Sequence, residues 1–402
     1  MVQKLGIIKR KMHPIKLELV NQFVIHKQHL STDSKVDDIV QIAEDLCGLH
    51  ATGTMEPYLT LFARTRNFEK SLLEKELYWN RTLGRIRCMR KTLFIHTKEM
   101  IPIAYAATKH IIEQYFTKFF EVYEISEADY QEYSGKIINI LKENELPTSE
   151  VKYRLNGYKK TSQLLGLMCD QGILIRGTPV KGWKDRRNNY ALFLNYFPDI
   201  NLEQYGESDA IGILVEKYLK SYGPSTEADI AWWCGIGKRK VRAELEKIES
   251  EIEKITIAGL DHEYLILKSD MEKLGKITPL KENLVILLPM LDPYIMGYKD
   301  RERYIDNEHY YYAFDRSGNV TTSILLDGKI IGVWDVVENP EPMIKTFLFK
   351  EIDDEVKQLL RIKANTLGKF ITDKDVVVKE CKNMEPLTER TAGNFMTPLK
   401  NC

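Results

Sequence analysis

The chain lacks an excess of charge of either sign: 58 Lys and Arg balance 58 Asp and Glu. That excludes a simple polycation wrapping nucleic acid, so any DNA-facing surface has to come from local segregation of charge. Paired cysteines are lacking too. Cys47, Cys88, Cys169, Cys234, Cys381 and Cys402 stand apart with no CxxC, which leaves no zinc-ribbon spacing and no redox motif. Scattered thiols suit a reducing cytoplasm, where they behave as small buried hydrophobes. The opening MVQKLGIIKRKMH has no signal-peptide core, and the longest apolar run, around Leu284 to Leu291, is far too short to span a bilayer. A soluble, internal protein is expected. There is no GxxxxGK[ST] phosphate loop, no HExxH, no GxSxG elbow, no helix-hairpin-helix lysine chemistry and no deaminase HxE with PCxxC. No metal and no cofactor is implied.

What is present is ordinary globular composition, 44% hydrophobic and 29% charged over 402 residues, enough for about two to four domains. One local grammar recurs three times: a helix, a tight turn, a second helix, then a β-hairpin. The second copy is the plainest. Leu146-Pro147-Thr148-Ser149-Glu150 reads as a helix start, and a longer helix carrying Leu164, Leu165 and Met168 stops at Gln171-Gly172. Strands at Ile173 to Arg176 and Tyr190 to Phe193 follow. In the third copy a helix from Ala210 to Tyr222 breaks at Gly223-Pro224. Thr226 and Asp229 then have capping-box spacing ahead of Trp232 and Trp233, both read as core. Lys238 to Arg242 opens the next helix, and a hairpin turns around Gly259. The first copy is looser: Ser34 and Asp37 are candidate caps, two helical stretches end near Trp79, and two strands turn at Arg90-Lys91.

Beyond about residue 280 the pattern is strand-like, with Asp327-Gly328 between two β runs, one helix near Glu355 to Ala364, and Tyr310-Tyr311-Tyr312 read as strand. The fold expected is α+β. It comprises three tandem winged-helix units over residues 1–122, 123–205 and 206–278, then an antiparallel β-barrel-like domain over 279–402.

Overall neutrality hides segregation. Residues 80–98 hold six basic side chains, Arg85, Arg87, Arg90 and Lys91 among them, and no acid; residues 150–190 hold nine basic and three acidic ones. Lys181, Lys184, Arg186 and Arg187 crowd beside Trp183 at the second hairpin, and Lys238, Arg239 and Arg242 open a recognition-type helix. Cations at hairpin tips and helix starts suit phosphate contact, and a neighbouring aromatic suits a groove or an unstacked base. Charged loops that are simply solvated are the plain alternative.

Gly48-Leu49-His50-Ala51-Thr52, Pro57-Tyr58-Leu59, Met89-Arg90-Lys91-Thr92-Leu93, Tyr222-Gly223-Pro224-Ser225-Thr226, Asp292-Pro293-Tyr294 with Asp300-Arg301, Leu326-Asp327-Gly328-Lys329 and Pro398-Leu399 occur in this order. In that set the chain resembles the AlkZ-type winged-helix DNA glycosylases, bacterial proteins that remove alkylated purines and unhook interstrand crosslinks. The resemblance implies a monomer acting on double-stranded DNA, alkylated or crosslinked, in the bacterial cytoplasm and nucleoid. It also implies a catalytic pair at His50 and Thr52, where the family carries Gln-x-Gln and its branches Gln-x-Asp or His-x-Gln. Met-Arg-Lys-Thr departs from the family's Met-Arg-Gly-Thr, placing an extra cation in a stiffer turn.

Such a pair would orient a water at an oxocarbenium-like sugar, His50 accepting a proton with a pKa near neutrality and Thr52 donating a hydrogen bond. The structural alternatives are that His50 caps a helix ending at Leu49 and Thr52 caps the helix at Glu56. Asp292, Tyr294 and Arg301 are candidates for lining a DNA channel, with a turn at Asp292-Pro293 as the other reading. Three functions stay open: an alkylpurine glycosylase, a non-catalytic DNA-binding or damage-sequestering protein, and a transcription regulator.

Overall fold

The computed structural model describes residues 13–389. It begins with α1 (Leu17–Lys27), α2 (Ile39–Asp45), the short strand β1 (Leu49–His50), α3 (Glu56–Arg64) and α4 (Lys70–Glu74), which runs on through a π turn to Trp79. The hairpin β2 (Leu83–Arg87) and β3 (Leu93–Thr97) follows, and β3 is the central strand, antiparallel to both β1 and β2. The cap of α2 is Asp38, accepting from the Val40 and Gln41 amides, rather than Ser34 or Asp37. Asp37 is instead taken by the distant Arg66 and Asn67 amides, so tertiary contact overrides the local pattern.

Two helices without a counterpart in the sequence pattern come next, α5 (Met100–Tyr123) and α6 (Glu127–Ile140). Met100 to Thr108 is buried without a break, so that turn of α5 has no polar face to betray its period. The Ser126–Asp129 capping box that starts α6 was readable. Then follow β4 (Leu146–Pro147), α7 (Thr148–Arg154), α8 (Thr161–Asp170), β5 (Leu174–Pro179), β6 (Asn188–Leu192) and α9 (Phe193–Tyr196), with strand order β4-β6-β5. The third stretch has α10 (Glu207–Tyr222), α11 (Glu227–Cys234) behind the Thr226–Asp229 capping box, α12 (Lys238–Lys247), the hairpin β7 (Ile252–Thr256) and β8 (Glu263–Leu267), and α13 (Lys268–Leu274).

The last stretch holds β9 (Val285–Leu288), α14 (Pro293–Met296), α15 (Tyr310–Ala313), β10 (Ser323–Leu326), β11 (Lys329–Val337), β12 (Met343–Leu348), α16 (Asp354–Thr372) and β13 (Val377–Glu380). Its five strands form one open sheet in the order β13-β12-β11-β10-β9, not a closed antiparallel barrel. The physical reason is α16. It crosses from β12 to β13, making that pair parallel, and its apolar face with Val356, Leu360, Ala364, Leu367 and Ile371 covers the sheet. A sheet covered by a helix has no need to close on itself. The three tyrosines form the helix α15 rather than a strand, and only Tyr311 is largely exposed. The Asp327-Gly328 hairpin forms as expected, with Leu326 opposite Lys329 and both turn residues at positive φ.

Helix α3 positions the site. Tyr58 and Leu61 pack into a core with α2, β1 and β3, while Leu59, with Met55 and Phe62 alongside, packs into the core of the C-terminal sheet and α16. Two faces at helical spacing thus clamp α3 between layers.

Candidate active site and nucleic-acid interface

His50 lies in β1 opposite Phe94 of β3 and meets that ring edge-on at 5.0 Å. It is 4% exposed, and its Nδ1 has no hydrogen-bond partner. Burial, with the Arg90 guanidinium adding to it, pushes its pKa down to about 3, so the imidazole is neutral throughout the physiological range. A pKa near neutrality, expected from the residue type, is thereby corrected. Neither His50 nor Thr52 caps a helix: α2 ends at Asp45, and the N-cap of α3 is Met55. Thr52 is exposed at the mouth of the loop that joins β1 to α3.

Glu56, missed in the sequence, closes the same loop. It is the first residue of α3, is 6% exposed, and leaves Oε2 without a partner. Its carboxylate folds back onto Gly53, where a Cβ would come within 2.1 and 2.2 Å of the two carboxylate oxygens. Burial raises the Glu56 pKa above the usual carboxylate range, and the Arg186 guanidinium opposes that only in part. Its only signal in the sequence was an acidic residue at a helix start, which is commonplace.

The β5–β6 hairpin tip lies over this loop. The Thr54 hydroxyl donates to the Lys184 carbonyl at 3.3 Å. Trp183 is tilted against Tyr58 at 5.1 Å and Phe370 at 6.0 Å with the Lys70 ammonium 4.9 Å from its ring centre, so the indole is half buried and anchors the hairpin. Lys184 is ion-paired with Glu338 at 2.6 Å and Arg187 with Asp185 at 2.7 Å, while Lys181 and Arg186 are exposed.

The β2–β3 turn lies on the other side. Arg85 donates to Asn188 at 2.5 Å, and Arg87 is paired with Asp170 at 2.9 Å. Lys91 is exposed and, with Arg87, Ser162, Gln163 and Asp170, lines a cleft of about 500 Å³ between α5 and α8. Arg90 and Lys91 both adopt left-handed backbone, φ 52° and 60°. The Arg90 guanidinium is over Trp232 at 4.1 Å, and the Arg301 guanidinium lies 4.8 Å from the same ring. Trp232 is therefore a half-buried platform for two cations, whereas Trp233 is core. On α12, Lys238 and Arg239 are exposed, and Arg242 forms a two-pronged pair with Glu227 at 2.8 and 3.0 Å.

Asp292, Tyr294 and Arg301 are buried within the protein instead of facing an open surface. Asp292 caps α14 through the Tyr294 amide and pairs with Arg64, the two guanidinium nitrogens reaching the two carboxylate oxygens at 2.8 Å each. Tyr294 donates to the Gly328 carbonyl at 3.1 Å. Arg301 donates to the Ile295 and Tyr298 carbonyls. Asp306, Glu308 and His309 come close enough together to share a metal ion, but the acids are exposed and the imidazole is stacked on Phe349. No helix among the described residues is long and apolar enough to cross a membrane.

A mixed α+β chain with a polar loop set beneath cationic hairpins defines a class that comparison makes specific. The family model described as DNA glycosylase AlkZ-like matches residues 43–347, and the chain belongs to that family. Among solved structures it is similar to the Streptomyces sahachiroi DNA glycosylase AlkZ, with a TM-score of 0.74 and 17% identity over 92% of this chain and all of that one. Among curated proteins it is similar to an interstrand DNA cross-link repair glycosylase of Streptomyces sahachiroi, 22% identical over 162 residues. That alignment covers 38% of this chain, and the chain spans only 43% of that relative's length.

Proposed function

We propose that the chain is a monofunctional DNA glycosylase of the AlkZ type that acts as a monomer on duplex DNA bearing N7-alkylated purines or crosslinks. In this reading residues 1–122, 123–205 and 206–278 are winged-helix units presenting Lys91, Lys181, Arg186, Lys238 and Arg239 to phosphates, with Arg85 and Arg87 set behind them on Asn188 and Asp170, and residues 279–402 brace them. The observation that carries it is His50: a buried, neutral imidazole with an unengaged Nδ1, at the place the family fills with the first glutamine of Gln-x-Gln. A purine alkylated at N7 is cationic and leaves as a neutral base, so the site needs little acid. It has to hold a water and tolerate an oxocarbenium-like sugar, which an acceptor nitrogen and the Thr52 hydroxyl are suited to do.

Release of base from an N7-methylguanine duplex and from a crosslinked duplex tests the reading. The parent is expected to release base, His50→Ala to abolish release with DNA affinity retained, and Thr52→Gln to raise the rate. Binding without release by the parent on either substrate would overturn catalysis and leave a DNA-binding protein. Affinity measured across a salt series should fall steeply, by roughly one unit of logarithmic slope per phosphate contact; salt-independent binding would remove the DNA interface as drawn.

A further inference from the structure

Glu56 is a buried carboxylate that the protein has not paid for with an ion pair. Among the described residues no cation forms a salt bridge with it, and Oε2 has no hydrogen-bond partner at all. Buried carboxylates are ordinarily paired or fully hydrogen-bonded, because an uncompensated charge away from water costs several kcal/mol, on the order of the whole gain from a good ion pair. The arrangement is held in place on three sides. Pro57 starts the helix behind it. The Met55 and Glu56 amides lean toward the carboxylate. Gly53 lets the loop pass so close that any side chain there would strike both oxygens. The carboxylate lies against Gly53, whose neighbour Thr52 is exposed.

We propose that Glu56 is the proton acceptor for the hydrolytic water, a role that rests on the glycosylase reading above. Thr52 is too short to reach as a glutamine would, and in this chain the reach is supplied from the start of α3. Water held between His50 and Glu56 gives one proton to the Glu56 carboxylate as its oxygen bonds to the sugar C1′. The C1′–N9 bond breaks with its electron pair passing to the purine, which neutralises the N7 cation. The products are a neutral alkylpurine, a sugar with a 1′-hydroxyl, and a protonated Glu56 that returns its proton to solvent. Burial suits the role, since it holds the carboxyl closer to the working pH and makes it a stronger base than an exposed glutamate.

Single-turnover release of N7-methylguanine by the full chain, measured with DNA affinity and melting temperature, tests this. Glu56→Gln keeps shape and is expected to slow release by about 100-fold or more, with affinity preserved and the melting temperature held or slightly raised. Gly53→Ala leaves the charge in place but displaces it, and is expected to slow release comparably. An active parent with Glu56→Gln within about 3-fold of it overturns the proposal while leaving the glycosylase reading intact. A rate loss matched by loss of folding or of DNA affinity assigns Glu56 a structural role and also overturns it. A parent that releases no base removes the glycosylase reading itself, which is a separate result.

Discussion

Helix α3 carries a charged side chain at each end, and the protein treats them in opposite ways. At the C-terminal end Arg64 is completely buried, yet both oxygens of Asp292 are matched to its terminal nitrogens at 2.8 Å. At the N-terminal end Glu56 is nearly as buried, and one oxygen is left without a partner. The first arrangement joins α3 to the turn between β9 and α14 across 228 residues of chain. The second forms no salt bridge, with only the Arg186 guanidinium and the local amides favouring its charge, and it stands within one loop of His50, whose Nδ1 is also unengaged. A buried charge whose ionic partner meets it through two hydrogen bonds is architecture, even though the Arg64 Nε itself is left without a partner. An unsatisfied one beside a second unsatisfied group is the better mark of a site, because folding alone gives no reason to keep it.

The comparison can be broken first at Arg64. Asp292→Ala leaves the guanidinium buried without its carboxylate and uncaps α14, so a loss of about 3–5 kcal/mol is expected in chemical denaturation. A loss under about 1 kcal/mol would show that the pair is not what holds α3 to the β9–α14 turn.

Glu56→Gln should do the reverse and stabilise the neutral-pH protein by about 1 kcal/mol, since a buried charge is exchanged for a neutral amide. The sign in pH follows from the raised folded-state pKa. Below the unfolded value of about 4.3 the group is protonated in both states and costs nothing. As pH rises through that value and on through the folded pKa, the folded state resists losing its proton and the parent loses stability relative to the variant. Melting curves of both proteins at about pH 4 and about pH 8 check this; a gap that stays constant would mean that the carboxylate is well solvated, and one that narrows would mean that the fold favours its charge.

His50 sharpens the comparison in the other direction of pH. Its folded pKa, about 3, lies below the unfolded value, so its stability contribution is present at neutral pH and is lost as pH falls through about 6.5 toward the folded value. His50→Gln should therefore gain on the parent in melting temperature as pH falls from about 7 to about 5, by up to about 2 kcal/mol at the lower end. Imidazole NMR should show the ring neutral over the same span. A His50 titration between those values would show that burial does not hold the ring neutral and would weaken its role as a fixed acceptor.

The smallest effect belongs to the β2–β3 turn. Lys91 holds φ at 60°, a left-handed conformation that costs a side-chain-bearing residue about 1–2 kcal/mol. Lys91→Gly should recover on the order of 1 kcal/mol in thermal unfolding and weaken DNA binding modestly through the lost cation. Unchanged affinity would show that the turn faces away from DNA.

Much of the fold was legible because its signals are local. The Thr226–Asp229 capping box, the Asp327-Gly328 hairpin, the stop at Gly172 and the helix–turn–helix–hairpin order all depend on residues within a few positions of one another. The unread parts fail for physical reasons. The start of α5 is buried on every side, which erases its amphipathic period, and the Asp37 side chain was claimed by amides some thirty residues away. The β12–β13 pair became parallel because a helix carried the chain back over the sheet. The resemblance singled out His50 and residue type singled out the basic hairpins, but Glu56 looked like any acid at a helix start.

The sequence by itself determined where chains turn, where helices begin and which segments concentrate cations, and its resemblance to the family singled out His50 and Thr52. Only the tertiary structure decided which of these charges are paired and which are stranded. It set Arg64 against Asp292, laid Arg186 near Glu56, stacked Arg90 on Trp232, and buried His50. The reason is that local geometry is written in neighbouring residues, whereas partners, dielectric and proton affinity are set by segments far apart in the chain.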